Sequence, residues 1–228
     1  ASTAELEPGK TTNVKLMDQP INASIQKIDD RGNPVQGATL QIQDLDDGRL
    51  LQFETSDVPY ACGSFLTADH HYRVKELQAP MGHYVCEEQE FTVPHTGGNT
   101  ISIVMKDPVI SYNVLKQDEK RRPVNQASLS LYDTTQKEKQ KILSWQSGPD
   151  AKEIGQLLEA GHSYTITEED ASTKYFLAAD IQFSVPVHQE ETEHQIKITD
   201  HHIHYQLQKV DENGSPLEDA RLVITDIT

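Results

Sequence analysis

The chain has 228 residues, 36% of them hydrophobic, with 36 acidic against 20 basic side chains and a formal net charge of −16. A field of that sign repels nucleic acid and anionic lipid. No run of about 18 apolar residues is available to insert into a membrane, and Ala1–Lys10 is too short and polar for a leader, so the sequence reads as an excerpt or mature fragment with room for one large domain or two ordinary ones.

In chain order, the first element is an alternating strand, NVKLMD, ending at Asp18. From Ile21 comes INASIQKIDDRGNPVQGATLQIQD: a strand, then Lys27, then an Asp-rich turn with a Pro, then a second strand. A later strand runs from Leu66 through Tyr72 to Glu76, and SIVMKD closes the unit at Asp107. The same order then returns. ISYNVLKQDEKRRPVNQASLSLYD starts at Ile110, a Leu158–Glu168 segment matches Leu66–Glu76, and QIKITD ends at Asp200. A third opening, IHYQLQKVDENGSPLEDARLVITD, starts at Ile203. Within Asp150–Ala160, Ile154, Leu157 and Leu158 sit at roughly helical spacing, but their register with GSFLTA of the first unit predicts a strand, preceded at most by one helical turn.

Lys27, Lys116 and Lys209 recur at intervals of 89 and 93 residues, and so do Asp18, Asp107 and Asp200. Independent motifs sharing one pair of spacings identify an internal repeat. Its units are the tail of one repeat (1–19), two whole repeats (20–108 and 109–201) and the head of a fourth (202–228). Short alternating strands with Gly, Pro, Asn and Asp turns in units of about 90 residues predict an all-β chain of tandem immunoglobulin-like sandwiches.

Residues two apart on a strand share a face. Ile21, Ala23, Ile25 and Lys27 therefore point one way, as do Ile110, Tyr112, Val114 and Lys116, and Ile203, Tyr205, Leu207 and Lys209. Closing strands end the same kind of row in an acid, at Asp18, Asp107 and Asp200, and the middle signature places Glu76 and Glu168 on apolar rows. Each complete unit is thus expected to send one Lys, one Glu and one Asp inward. An isolated buried charge costs several kcal/mol or is neutralised by a pKa shift. Two outcomes follow: a hydrogen-bonded ion triad, or, with desolvation lowering the lysine and raising the acids, a neutral amine that attacks a neutral carboxyl group while the Glu relays protons.

With these residues the chain resembles the B-type repeats of Gram-positive collagen adhesins and the related SpaA-like, prealbumin-like pilin domains. Their middle motif, Y-x-L-x-E-x-x-A-P-x-G-Y, is matched by Tyr72-Arg-Val-Lys-Glu76-Leu-Gln-Ala79-Pro80-Met-Gly82-His-Tyr84. The resemblance implies an intramolecular isopeptide bond from Lys27 to Asp107 assisted by Glu76, and from Lys116 to Asp200 assisted by Glu168. Asp18 and Lys209 would be the counterparts in the incomplete units. The second unit lacks the Pro and Gly of the motif, since Glu169-Asp-Ala-Ser-Thr-Lys-Tyr175 stands there, and the acceptors are Asp rather than the commoner Asn. The bond would form once per repeat, without turnover or cofactor. The resemblance also implies a stalk or spacer on the outside of a Gram-positive cell wall, with neighbouring repeats as partners. In the other reading, one face of a repeat grips a host matrix or surface protein.

The remaining candidates are few. Cys62 and Cys86 lie in one unit, outside any CxxC or Cys/His metal spacing, and are either a disulfide permitted by export or two inert thiols. His202 and His204 share a strand face beside His201, a weak arrangement for a metal against the simpler reading of solvated histidines. Trp145 and Tyr132 mark either a ligand face or a core or edge position. No nucleotide fingerprint, phosphate loop or Ser/His/Asp order is present.

Overall fold

A computed structural model of the chain describes residues 19–96, 98, 100–225 and 227; the Asp18 counterpart lies outside them. Two β-sandwiches follow one another. The first is built from β1 (Ala23–Asp29), β2 (Thr39–Asp44), β3 (Leu50–Glu54), β4 (Tyr60–Ala61), β5 (His71–Gln78), β6 (Gln89–Thr92) and β7 (Ile101–Asp107). The second repeats that order as β8 (Tyr112–Asp118), β9 (Ser128–Asp133), β10 (Gln140–Gln146), β11 (Lys152–Glu153), β12 (Ser163–Asp170), β13 (Ile181–Ser184) and β14 (His194–Asp200).

In each sandwich a three-stranded sheet faces a four-stranded one. The orders are β4-β1-β7 against β3-β2-β5-β6, and β11-β8-β14 against β10-β9-β12-β13. First and last strands are parallel neighbours, with Lys27 opposite Met105 and Asp29 opposite Asp107, and in the second sandwich Lys116 opposite Ile198 and Asp118 opposite Asp200. Parallel pairing across a whole repeat places the lysine and the closing aspartate on one sheet, two residues out of register and on the same face. The inward rows then fill the cores: Leu40, Ile42, Tyr72 and Met105 in the first, Leu129, Leu131, Tyr164 and Ile166 in the second. Each Leu or Ile so buried contributes about 1.5–3 kcal/mol over leaving it in water.

The single helical turn is a 3-10 turn, Gly63–Phe65 and Gly155–Leu157, preceded by the two-residue strands β4 and β11; Leu66 and Leu158 follow it in extended backbone, but no strand begins at them. Close approach explains the difference. Any Cβ at Gly63 would collide with the carbonyl of Ile21, and one at Gly155 with that of Ile110. The chain presses against the first strand there and turns, and the middle strand starts only at His71 or Ser163.

The Asp-rich turn recurs three times in one geometry. Asp29 Oδ1 accepts from the amides of Arg31 and Asn33, Asp118 Oδ1 from Lys120 and Arg122, and Asp211 Oδ1 from Asn213 and Ser215. The third copy forms although the row ahead of it pairs with no strand among the described residues. Tyr205, Leu207 and Lys209, expected to point inward, are exposed, because the burial they need comes from a facing sheet.

Between the sandwiches the loop after β5 crosses onto the second repeat. Gly82 N donates to Leu158 O at 2.8 Å, Val85 N to Val187 O at 2.9 Å, and Ile110 N to Gly82 O at 2.8 Å. Gly82 has φ +83° and a Cβ there would lie 3.3 Å from Gln156 Cα, so both its conformation and its contact favour glycine. Tyr84, a residue of the first repeat, is fully buried in the core of the second.

Candidate functional site

In the first sandwich Lys27 ends the inward row of β1 and Asp107 that of β7, on one sheet; Glu76 comes from β5 on the facing sheet. All three side chains are completely shielded from solvent. Lys27 Nζ donates to Asp107 Oδ1, to Glu76 Oε2 at 2.8 Å and to Cys86 Sγ at 2.9 Å. Glu76 Oε2 is held by the Cys86 amide at 2.8 Å. A bulge follows Glu76 directly: Leu40 pairs with Glu76 and Thr39 with Gln78, leaving Leu77 unpaired. Such an extra residue lets a strand re-aim the side chain beside it.

The second sandwich reproduces the set. Lys116 Nζ donates to Asp200 Oδ1 and forms an ion pair with Glu168 Oε1 at 2.8 Å, all essentially without solvent access. The Ala178 amide holds Glu168 Oε2 at 2.6 Å, and the strand bulges after Glu168, between its pairings with Leu129 and Ser128. Ala178 thus stands where the first repeat has Cys86, and the sulfur contact to the lysine is confined to the first repeat.

Burial dominates the electrostatics. Asp107 is raised to about 7, first by desolvation and further by the neighbouring Glu76, against the lowering pull of Lys27. Asp200 is raised for the same reasons, with Glu168 and Lys116 in those parts. Desolvation also pushes the Lys27 amine down, but the Asp107 charge and the hydrogen bonds to Asp107, Cys86 and Glu76 outweigh it, so the net direction is up. The lowered lysine expected from burial alone is corrected by its partners. The two groups depend on each other: once Asp107 takes a proton, its charge no longer supports the ammonium, and burial then favours the free amine. Asp107 Oδ2 and Asp200 Oδ2 are buried without a hydrogen-bond partner among the described residues. A buried carboxyl oxygen without a donor makes the charged form costly and favours the protonated acid.

Cys62 and Cys86 are both free and buried, not a disulfide; the Cys86 sulfur is engaged by the lysine amine instead. Lys209 is exposed beside its turn. Trp145 packs partly buried against the second core, and Tyr132 lies under Lys139 and Lys141 with its hydroxyl donating to Glu169. His202 Nδ1 donates to Glu119 Oε1 at 2.6 Å, and its ring stacks on His204. Sequence reasoning missed Cys86 and Ala178 as the amides that orient each Glu; both lie past the strand, where alternation stops.

No helix among the described residues is long and apolar enough to cross a membrane. No curated protein matches the chain. Similar solved structures include the shaft pilin SpaA of Lactobacillus rhamnosus GG (12% identity, TM-score 0.42, covering 83% of this chain and 100% of that one). A C-terminal fragment of the pilus adhesin SpaC from the same organism has 12% identity and TM-score 0.41, with the same coverages. The Bacillus anthracis TIE protein has 16% identity and TM-score 0.36, covering 81% of this chain and 35% of that one. A family model described as the SpaA prealbumin-like fold domain matches residues 21–108 and again 110–202. The chain therefore belongs to the SpaA prealbumin-like family, as two successive copies of its domain.

Proposed function

We propose that the two repeats are structural spacers of a surface shaft or adhesin, each closed by one amide bond that the repeat makes for itself. The observation that carries this reading is the lysine amine against an aspartate carboxyl group, in a solvent-free interior, with a glutamate on the amine, in both repeats. A proton passes from Lys27 to the carboxyl groups, and the free amine attacks the Asp107 carboxyl carbon. Glu76 carries one of the two protons left on the nitrogen to the departing hydroxyl group, water leaves, and Nζ–Cγ becomes a secondary amide that keeps the last proton. Lys116, Glu168 and Asp200 act alike. The event occurs once per repeat and regenerates nothing, so it is maturation rather than turnover.

The placement of the bond gives it mechanical meaning. Force entering at the N-terminal end of β1 runs from Ala23 to Lys27, crosses to Asp107 and leaves the repeat, so residues 28–106 lie outside the loaded path. A surface location on the outside of a cell, with neighbouring repeats as partners, fits such a part. Intact-protein mass spectrometry tests the reading: the chain weighs two waters less than its sequence, and Lys27→Ala and Lys116→Ala each restore one. A mass equal to the sequence mass in folded, aged protein overturns it.

A further inference from the structure

One loop of the first repeat, residues 82–86, reaches both repeats. Gly82 N donates to Leu158 O at 2.8 Å, and Tyr84, 0% exposed, belongs to the second core together with Ile110, Leu158 and Val185. Val85 is clamped at both its backbone groups: its N–H donates to Val187 O at 2.9 Å, and His188 Nδ1 donates to its carbonyl at 2.9 Å. The next residue, Cys86, makes its contacts in the first repeat. Its amide donates to Glu76 Oε2 at 2.8 Å, and its sulfur lies 2.9 Å from Lys27 Nζ.

No strand of the first repeat holds this loop, because β5 ends at Gln78 and β6 begins only at Gln89. Beyond the bond from Tyr84 N to Pro108 O, its place is set by what the second repeat supplies. A single residue, Val85, separates the ring buried in one core from the amide that works in the other, and that residue is bonded on both sides. The link has no slack.

Cys86 matters to the chemistry through both of its contacts. Glu76 Oε1 has no hydrogen-bond partner among the described residues, so apart from Lys27 the Cys86 amide is the group that fixes this carboxylate. The Cys86 sulfur also completes the surroundings of the amine, whose three donors meet Asp107, Glu76 and Cys86. Once a proton has left the ammonium, Glu76 and Cys86 can hold the two remaining N–H bonds. The lone pair then faces Asp107.

We infer that Tyr84 is a positioning residue for the first repeat's cross-link: seated in the second core, it sets Cys86 against Glu76 and Lys27, so the first repeat seals at full rate only when the second has folded around the ring. The inference rests on the cross-link proposed above. Tyr84 touches no reacting atom and acts through Cys86. Its ring does the anchoring, since its buried hydroxyl has no hydrogen-bond partner among the described residues. With the ring unseated the Cys86 amide is free to drift, and a displacement of about 1 Å in a positioned group costs up to about 100-fold in rate.

Timed mass spectrometry of newly made chains tests it. The whole chain is produced by cell-free synthesis, sampled over time and digested, and the water lost between Lys27 and Asp107 is followed separately from that lost between Lys116 and Asp200. Rates are taken on chains whose β1 and β7 amides are protected from hydrogen exchange, so that only folded first repeats are compared. Tyr84→Phe keeps the ring and should seal the first repeat at the wild-type rate. Tyr84→Ala should seal it at least about tenfold more slowly. Leu131→Asp, which puts a charge into the second core and leaves the loop and the first repeat as they are in sequence, should slow the first repeat equally. Sealing at the wild-type rate in Tyr84→Ala or Leu131→Asp, or a Tyr84→Phe variant as slow as Tyr84→Ala, overturns this inference and leaves the cross-link standing. Wild-type chains that lose no water at either pair overturn the cross-link, and this inference with it.

Discussion

Replacing Glu76 with Gln keeps the shape of the side chain between Lys27 and the Cys86 amide and removes the oxygen that can carry a proton. The expected product is a first repeat with Lys27 and Asp107 still adjacent but unbonded. The bond would span 80 residues of chain. In the chain-entropy treatment of a cross-link, a loop of that length is worth about 4.5 kcal/mol. For a domain of this size, with about 2.1 cal/mol/K of unfolding entropy per residue, the loss lowers the midpoint of the first repeat by about 20–25 °C. Calorimetry on the variant should show that transition moving while the second stays, and the intact mass should rise by one water. Two results would refute the reasoning: a first repeat that still loses its water without Glu76, or an unbonded repeat whose midpoint moves by only a few degrees.

Further expectations follow from the same geometry. Tyr84→Ala lies in the first repeat but should destabilise the second, by about 3–5 kcal/mol, since it empties a fully buried ring site there; separate unfolding transitions check it, and an effect confined to the first repeat contradicts the shared core. Burial pushes the Cys86 thiol up to about 12 and raises Cys62 as well, so neither should react with a thiol reagent at mild pH until the repeat unfolds, when both should. His70, bonded to Asp44 at 2.8 Å, is held above the usual histidine range by that carboxylate. Its stabilising contribution is therefore full below pH about 6.5 and fades as pH rises through the raised value; an NMR titration midpoint at or below the ordinary value would contradict the pairing.

Much of this could be read from residue alternation alone. Period-two rows ending in Lys27, Glu76 and Asp107 convert directly into facing sheets, because a strand with one buried face has only one register that hides its apolar set. The interior position of the charged residues followed from the same rule. What alternation could not supply was anything decided by backbone approaching backbone. The 3-10 turns at Gly63 and Gly155 depend on the carbonyls of Ile21 and Ile110, more than 40 residues away and just ahead of β1 and β8, which leaves no periodic trace. Tyr84 was legible as part of a motif but not as a residue of the next repeat's core, since the loop carrying it follows no period. The direction of the Lys27 shift also escaped, because it depends on how many partners reach the amine and not on burial alone.

The aspartate-pinned turn has a consequence for the order in which such a chain assembles. Its hydrogen bonds span four residues, so it needs no distant strand to form, and residues 211–215 adopt it with no facing sheet among the described residues. The strand that must lie beside the first one, however, is the last to be made, some 80 residues later. Until then the lysine waits on an open edge, hydrated and charged, and nothing drives it to react. Under the proposed cross-link, chemistry would thereby be timed by synthesis: a repeat could seal only after its own final strand has emerged.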